Sequence, residues 1–141
     1  MTEHIDFLQL RDFAVSTATR AAELIAARRA ELVAGDGIAA HTSTKSSDVD
    51  PVTEVDTATE EFIATTIRTQ RPGDGIFGEE GANVESTSGV TWIVDPIDGT
   101  VNFLYGVPDF AVSIGAEYQG RLVAGAVVNV ARGRTYAAAA G

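Results

Sequence analysis

The segment WIVDPIDGTVNF, residues 92–103, joins a short apolar run to two aspartates and a glycine–threonine pair. Ile93 and Val94 are predicted to form a short buried strand, and Pro96 is predicted to end its regular pairing. Gly99 permits a tight turn, and the backbone N–H groups that follow it can face an anion at a helix start. Carboxylates that hold a cation beside amides that hold a phosphate would together form a metal-phosphate site.

Two acidic positions follow apolar pairs in the same way. Glu79 comes after an apolar pair and a glycine, and Asp95 comes directly after Ile93 and Val94. A rigid sheet can therefore hold the two carboxylates within a few ångströms of each other. Mg²⁺ prefers oxygen ligands and is typically held by one or two carboxylates together with substrate phosphate oxygens. Glu79, Asp95 and the carbonyl of Ile97 are the candidate ligands of one such ion.

Three motifs occur in a characteristic order along the chain: DPVTEVD at residues 50–56, GEE at residues 78–80, and DPIDGTVNF at residues 95–103. Together they resemble the signature of the magnesium-dependent, lithium-sensitive inositol monophosphatases. The resemblance implies an α/β fold, the layered α-β-α-β-α sandwich of the inositol monophosphatase and sugar phosphatase type. This chain would contribute its N-terminal helix pair and a largely antiparallel sheet.

The resemblance also implies the metal ligands. Glu79, Asp95 and the carbonyl of Ile97 match the residues that bind a first Mg²⁺ in the family, and Asp95 and Asp98 match those that share a second. Two metals clamp the attacking and leaving oxygens of an in-line displacement. The family completes its second metal site with an aspartate from a C-terminal half that this chain lacks, so binding of the second metal is expected to be weak.

Catalytic roles follow from the same resemblance. Thr100 would orient the attacking water, with Asp56 behind it as a partner, while Glu79 belongs to the metal site that activates this water. The backbone amides of Gly99 and Thr100 would bind the substrate phosphate and stabilise its developing charge. Lys45 resembles a lysine near the entrance of the family's site, where it would give electrostatic support; a solvated loop lysine is the alternative interpretation.

Composition restricts the classes of function. The 141 residues carry a net charge of −10 and no cysteine, so disulfides, thiolate metal sites and a cysteine nucleophile are excluded. Nucleic-acid binding is not expected, because it requires clustered Lys and Arg. An acidic surface would repel a phosphorylated substrate, so a phosphatase of this composition needs a local cation.

No signal for membrane insertion is present in the sequence. No apolar stretch approaches the roughly 20 residues that cross a bilayer, and the N-terminus lacks a basic start and an apolar signal core. A cytoplasmic protein without a membrane partner is predicted.

Hydrophobic periodicity predicts two helices followed by strands. The first helix runs from about residue 5 to residue 34, and the second from near Thr53 through Ile67. Thr53-x-x-Asp56 and Thr57-x-x-Glu60 both fit a capping box, so the start of the second helix is ambiguous by one turn. Strands are predicted over residues 76–77, 90–94, 110–116, 122–129 and 135–139, the last three as an antiparallel meander. Residues 83–89 are predicted to form an exposed loop.

The chain ends in what resembles a strand, and members of the family are roughly twice as long. Residues 1–141 are therefore expected to be the N-terminal, metal-site part of a single phosphatase domain whose C-terminal half is absent from this chain. Activity of this chain alone is doubtful on that view.

The leading functional hypothesis is a hydrolase, a Mg²⁺-dependent phosphomonoesterase that converts myo-inositol monophosphate to inositol and phosphate, expected to be a homodimer as family members commonly are. The same chemistry on histidinol phosphate, fructose bisphosphate or a phosphoadenosine phosphate is an alternative. A third hypothesis is a non-catalytic acidic module that binds a protein partner. A module of that kind would have no physical need for the carboxylates together with Gly99 and Thr100.

Overall fold

The computed structural model describes residues 5–34, 51–98 and 109–141. Two helices precede six strands in this part of the chain. They are α1 (Phe7–Ala34), α2 (Pro51–Gln70), β1 (Gly75–Gly78), β2 (Asn83–Val84), β3 (Val90–Asp98), β4 (Ala111–Tyr118), β5 (Arg121–Asn129) and β6 (Arg134–Ala139). The strands form one sheet in the order β2-β1-β3-β4-β5-β6. Within it β1 and β3 are parallel, and the other neighbouring strands are antiparallel.

The hydrophobic core lies between the two helices and the sheet. Helix α1 packs on β4, β5 and β6, while α2 packs on β3 and β1. Small buried residues of α1, among them Ala14, Ala18 and Ala21, let this helix approach the sheet closely. Asp6 caps α1, because its carboxylate accepts a hydrogen bond of 2.9 Å from the backbone N–H of Leu8. The predicted first helix is confirmed, including its last residue. Neither helix of the described ranges is long and apolar enough to cross a membrane.

Helix α2 begins earlier than predicted. Its first residue is Pro51, a residue type favoured at this position because its missing N–H needs no partner there. Both capping-box interpretations are therefore wrong, since Thr53 and Thr57 lie inside the helix. Asp56 and Glu60 do not cap the helix: they lie one turn apart on one face, and both side chains are buried.

Strand β3 is longer than predicted. It continues past Val94 to Asp98, and Pro96 interrupts its pairing rather than ending it. The register with β4 shifts between Asp95 and Asp98, which suits a residue that lacks a backbone N–H, and pairing resumes between Asp98 and Ala111. The predicted loop at residues 83–89 is also partly wrong, because it contains β2, which pairs with β1.

The predicted meander of the last three strands is confirmed. Its first hairpin turns at Gln119 and Gly120, both with positive φ, as a two-residue hairpin loop that matches the twist of its strands requires. Along β4 the residues alternate, with Val112 and Ile114 buried under α1. The other side of the sheet, here called the open face, carries exposed apolar residues, namely Phe77, Ile93, Leu122, Val127 and Tyr136.

Candidate metal and phosphate site

Glu79 and Asp95 lie side by side where the parallel pairing of β1 and β3 ends. Gly78 in β1 is the register partner of Val94 in β3. The next residue of each strand is one of the two acids, and the backbone N–H of Glu79 donates a hydrogen bond of 3.2 Å to the carbonyl of Val94. The structure therefore brings these two sequence-predicted ligands to the same level of the sheet.

Alternation along β3 places Asp95 on the open face. Phe77 and Ile93 are register partners with exposed side chains on that face. Asp95 follows Ile93 by two residues within β3, and side chains two apart in a strand share a face. Asp95 is also the register partner of Ser113 in β4. Glu79 itself is exposed, so its carboxylate is accessible to a ligand.

A tight turn carries Glu79 away from β1. The N–H of Gly78 donates to the carbonyl of Ala82 at 2.7 Å, and the N–H of Gly81 donates to the carbonyl of Gly78 at 3.3 Å. Gly81 adopts a φ of 107°, which a residue with a side chain rarely tolerates. The turn spans residues 78–82 and presents two consecutive glutamates.

Glu60 of α2 supports this turn, although it is not among the site residues predicted from the sequence. Its side chain is only 3% exposed. One carboxylate oxygen accepts a hydrogen bond of 2.8 Å from the N–H of Glu80, and the other accepts one of 2.9 Å from the N–H of Ala82. The available sequence signal was the four-residue spacing from Asp56, which sets both acids on one helix face.

Gly78 is required by the approach of Glu60. A Cβ atom at position 78 would lie 2.5 Å from the carboxyl carbon of Glu60 and 2.6 Å from each carboxylate oxygen. The glycine of the GEE motif therefore leaves space for a buried acid from another element.

Asp56 and Thr59 lie next to Glu60 on the buried side of α2. Asp56 is 8% exposed, and Thr59 is fully buried with no hydrogen-bond partner for its hydroxyl among the described residues. The burial of Asp56 at the sheet-facing side of the helix suits a residue that supports a site from behind. Its predicted partner, Thr100, lies outside the described residues, so their pairing stays a prediction.

The remaining predicted site residues are only partly described. Ile97 is buried in β3, and the backbone of Asp98 pairs with Ala111. Gly99, Thr100 and Lys45 lie outside the described residues. Across residues 5–34, 51–98 and 109–141, no three acidic, histidine or cysteine side chains gather closely enough to hold a metal ion.

Negative charge accumulates at this end of β1. The pKa of the Glu80 carboxyl is raised above its usual range, first by partial burial and then by the negative charges of Glu60 and Glu79. In the part of the chain that the structure describes, no lysine or arginine forms a salt bridge with any of these three acids. Arg68 lies nearby but pairs with Glu61 at 3.6 Å. Such an arrangement favours a cation from outside the chain.

A family model described as the inositol monophosphatase family matches residues 6–141 of the chain. The chain belongs to this family. Inositol-1-monophosphatase SuhB of Mycobacterium tuberculosis (strain ATCC 25618 / H37Rv) is 51% identical over 142 residues, which cover 94% of this chain and 49% of the relative. A histidinol-phosphatase of Chlorobaculum parvum is 44% identical over 94 residues, which cover 67% of this chain and 36% of the relative.

Solved structures of the family share the fold. Mycobacterium tuberculosis SuhB matches with a TM-score of 0.78 and 44% identity, over 96% of this chain and 46% of that one. The staphylococcal family member SaIMPase-II, solved with inositol monophosphate bound, matches with a TM-score of 0.75 and 34% identity, over 95% of this chain and 45% of that one. The chain thus spans about half the length of the relatives it matches. Its α/β class and its helix pair with a mixed, mainly antiparallel sheet agree with the prediction.

Proposed function

We propose that the protein is a Mg²⁺-dependent phosphomonoesterase that hydrolyses inositol monophosphate to inositol and phosphate. The observation that carries the proposal is that Glu79 and Asp95 directly follow the register partners Gly78 and Val94, where the parallel pairing of β1 and β3 ends. Glu60 and Glu80 lie nearby, and no described lysine or arginine forms a salt bridge with them. Membership of the inositol monophosphatase family supports it. The structural relative SaIMPase-II has been solved with inositol monophosphate bound. Inositol monophosphates are therefore the first substrates to test on this protein.

The donor chemistry of the site fits Mg²⁺. Glu79 and Asp95 offer hard carboxylate oxygens of the kind that this ion takes, and Asp98 and the carbonyl of Ile97 are further candidate ligands from the same strand as Asp95. When bound, Mg²⁺ would neutralise phosphoryl charge and lower the pKa of the attacking water. Two metals are expected from the resemblance, and the second would need a further ligand from the C-terminal half of the family's domain.

The protein groups have separate tasks in this proposal. Glu79 and Asp95 fix the cation at the sheet's carboxyl-end edge, and the backbone amides of Gly99 and Thr100 bind the phosphate. The Thr100 hydroxyl orients the attacking water, and the Asp56 carboxylate accepts a hydrogen bond from this hydroxyl. The burial of Asp56 on a packed helix is consistent with its role as the partner of Thr100, because a side chain fixed by packing keeps its orientation. Lys45 would add positive charge at the entrance.

Other features of the whole protein are proposed from the resemblance. Residues 1–141 would be the N-terminal part of one phosphatase domain, in a cytoplasmic, lithium-sensitive homodimer. Histidinol phosphate is a second candidate substrate, because a relative 44% identical is a histidinol-phosphatase. Fructose bisphosphate and phosphoadenosine phosphates are alternative substrates for the same chemistry. The non-catalytic alternative is a module that binds a protein partner.

Phosphate release from myo-inositol 1-phosphate across a Mg²⁺ titration tests the proposal, with the full-length protein and its Asp95→Asn variant. We expect Mg²⁺-dependent turnover that falls on the order of 10²-fold or more in the variant, because a carboxylate ligand is lost. Asp12→Asn is the matched control, since Asp12 is exposed on α1 and pairs with its neighbour Arg11. Full activity of Asp95→Asn would refute the proposal. Measuring histidinol phosphate in parallel separates the two substrates by kcat/KM.

A further inference from the structure

Glu60 is a buried acid that is satisfied by backbone amides rather than by a cation. Removing a carboxylate from water is costly unless hydrogen bonds replace its hydration. The N–H groups of Glu80 and Ala82, at 2.8 and 2.9 Å, supply two charge-assisted hydrogen bonds, one to each oxygen. Both donors lie in the turn of residues 78–82. The cost of burying the Glu60 charge is therefore offset only when this turn is formed.

Glu60 and the candidate ligand Asp95 lie on opposite faces of the sheet. The Cα–Cβ direction of Gly78 points at the Glu60 carboxylate, which approaches from the helix side of the sheet. Phe77, which precedes Gly78 in β1, points the other way, and so does Asp95, which follows the register partner of Gly78 in β3, because side chains alternate along a strand. Phe77 is exposed on the open face accordingly. Glu60 therefore approaches β1 from the helix side, opposite the face that carries Asp95.

The turn is fixed at three places around Glu79. The hydrogen bond from the Glu79 N–H to Val94 ties it to β3, the bond from Gly78 to Ala82 closes the turn, and Glu60 anchors the N–H groups of Glu80 and Ala82. The Glu79 backbone has little freedom left, while its side chain remains exposed. Of the three anchors, Glu60 is the one made by a side chain.

We infer that Glu60 is a positioning residue, which uses its two carboxylate oxygens to hold the turn of residues 78–82 so that Glu79 reaches the same cation as Asp95. This inference rests on the proposed metal-binding role of Glu79 and Asp95. Groups that orient metal ligands without touching the metal contribute substantially to affinity, and their loss typically costs about 10- to 100-fold.

Glu60→Gln is the discriminating variant. Glutamine keeps the size of the side chain, but its amide nitrogen is a donor and cannot accept from a backbone N–H, while its neutral oxygen accepts more weakly than a carboxylate does. One of the two anchors is therefore lost and the other weakened. Glu61→Gln is the matched control, because it removes the same charge from the next residue of α2, where the side chain is exposed and pairs with Arg68. Two quantities are measured on the full-length protein: hydrogen exchange of the Glu80 and Ala82 amides without metal, and the Mg²⁺ dissociation constant by calorimetry.

We expect Glu60→Gln to speed exchange of both amides by about tenfold or more and to raise the Mg²⁺ dissociation constant by about 10- to 100-fold. The Glu61→Gln control should change neither. Unchanged Mg²⁺ affinity in Glu60→Gln would overturn the inference, whether or not amide protection is lost. Unchanged amide protection together with weaker Mg²⁺ binding would also overturn it, because Glu60 would then act as a ligand. If the wild-type protein itself binds no Mg²⁺, the proposed function fails, and the role of Glu60 in metal binding fails with it.

Gly78→Ala gives an independent perturbation in case Glu60→Gln does not fold. The added methyl group would displace the Glu60 carboxylate, from whose carbon it would otherwise lie 2.5 Å away, while leaving every charge in place. We expect the same loss of Mg²⁺ affinity and the same faster exchange at Glu80 and Ala82. Wild-type affinity in a folded Gly78→Ala protein would contradict the inference.

Discussion

The acidic side chains at the two ends of β1 have different partners. At the amino end, the buried carboxylate of Asp74 accepts hydrogen bonds from the Ser88 hydroxyl at 2.6 Å and the Trp92 indole N–H at 2.8 Å, and it pairs with the Arg71 guanidinium. At the carboxyl end, Glu60, Glu79 and Glu80 cluster, and no described lysine or arginine pairs with them. The carboxylate of Asp74 is satisfied by side chains of the protein. In the second group Glu60 is held by backbone amides, whereas Glu79 and Glu80 are exposed and leave negative charge available to a cation.

This contrast shows that acidity alone does not identify a functional site. Asp74 and Glu60 are about equally buried, yet Asp74 has a positive partner and Glu60 has amide donors. A carboxylate with a complete set of side-chain partners stabilises the fold. An exposed carboxylate such as that of Glu79, next to the point where the parallel pairing ends, is suited to bind an ion.

The largest expected effect is at the amino end of β1. Asp74→Ala should lower the free energy of unfolding by about 3–5 kcal/mol, because the buried Trp92 indole N–H and the Ser88 hydroxyl lose their acceptor and the partly buried Arg71 guanidinium loses its counter-ion. Denaturant unfolding measures this loss. Mg²⁺ affinity of the folded variant should stay within a factor of about two or three of wild type, since no metal ligand is touched. A large loss of Mg²⁺ affinity would contradict the view that the amino end of β1 is independent of the candidate metal site.

At the carboxyl end, Glu79→Gln should show the opposite pattern. Mg²⁺ affinity should fall on the order of 100-fold or more, whereas the stability of the metal-free protein should be unchanged or slightly higher, because one of the clustered negative charges is gone. Calorimetric titration and denaturant unfolding give the two quantities. A clear loss of metal-free stability would mean that Glu79 is structural, as Asp74 is.

Trp92→Phe should have a smaller effect on stability. Trp92 is fully buried, packs against Phe13 with ring centroids 5.1 Å apart and donates to Asp74. The smaller ring loses the hydrogen bond and leaves a small void, so we expect about 1–3 kcal/mol of destabilisation. Thermal unfolding with and without Mg²⁺ tests whether this loss is independent of metal. Dependence on the metal would link the two ends of the strand.

Glu80→Gln should have the smallest effect, and it should depend on pH. Because the pKa of Glu80 is raised in the folded state, the folded protein holds its proton at higher pH than the unfolded chain does. Metal-free stability therefore falls as pH rises from below the usual glutamate range through the raised pKa. Glu80→Gln should match wild type at the acidic end and be more stable at neutral pH by less than about 1 kcal/mol, since the residue is largely exposed. Equal stability at both pH values would contradict this.

Much of the fold follows from local patterns. The apolar spacing gives both helices, and alternation with turn residues gives the strands and the final meander. The neighbouring positions of Glu79 and Asp95 were also predictable, because each acid follows an apolar strand of the same sheet. The two-residue strand β2 could not be predicted because it has no hydrophobic pattern of its own. It is a strand only through its pairing with β1.

The supporting residues could not be predicted, since their contacts are distant in sequence. Glu60 bonds to residues 20 and 22 positions away, and its local context, Thr57-x-x-Glu60, fits a capping box equally well. Asp74 follows Pro72-Gly73, where a turn explains an aspartate without further partners. Its bonds to Ser88 and Trp92 exist only once the sheet has formed.

The sheet ends differently on its two sides, and this governs where it can grow. Strand β2 is two residues long and offers few unpaired backbone groups, so the edge beside the candidate site resists the addition of a strand. Strand β6 is six residues long, contains three consecutive alanines and exposes Tyr136, and no described strand pairs with its outer side. An added strand would extend the sheet there, separated from β3 by β4 and β5 and therefore without disturbing Asp95.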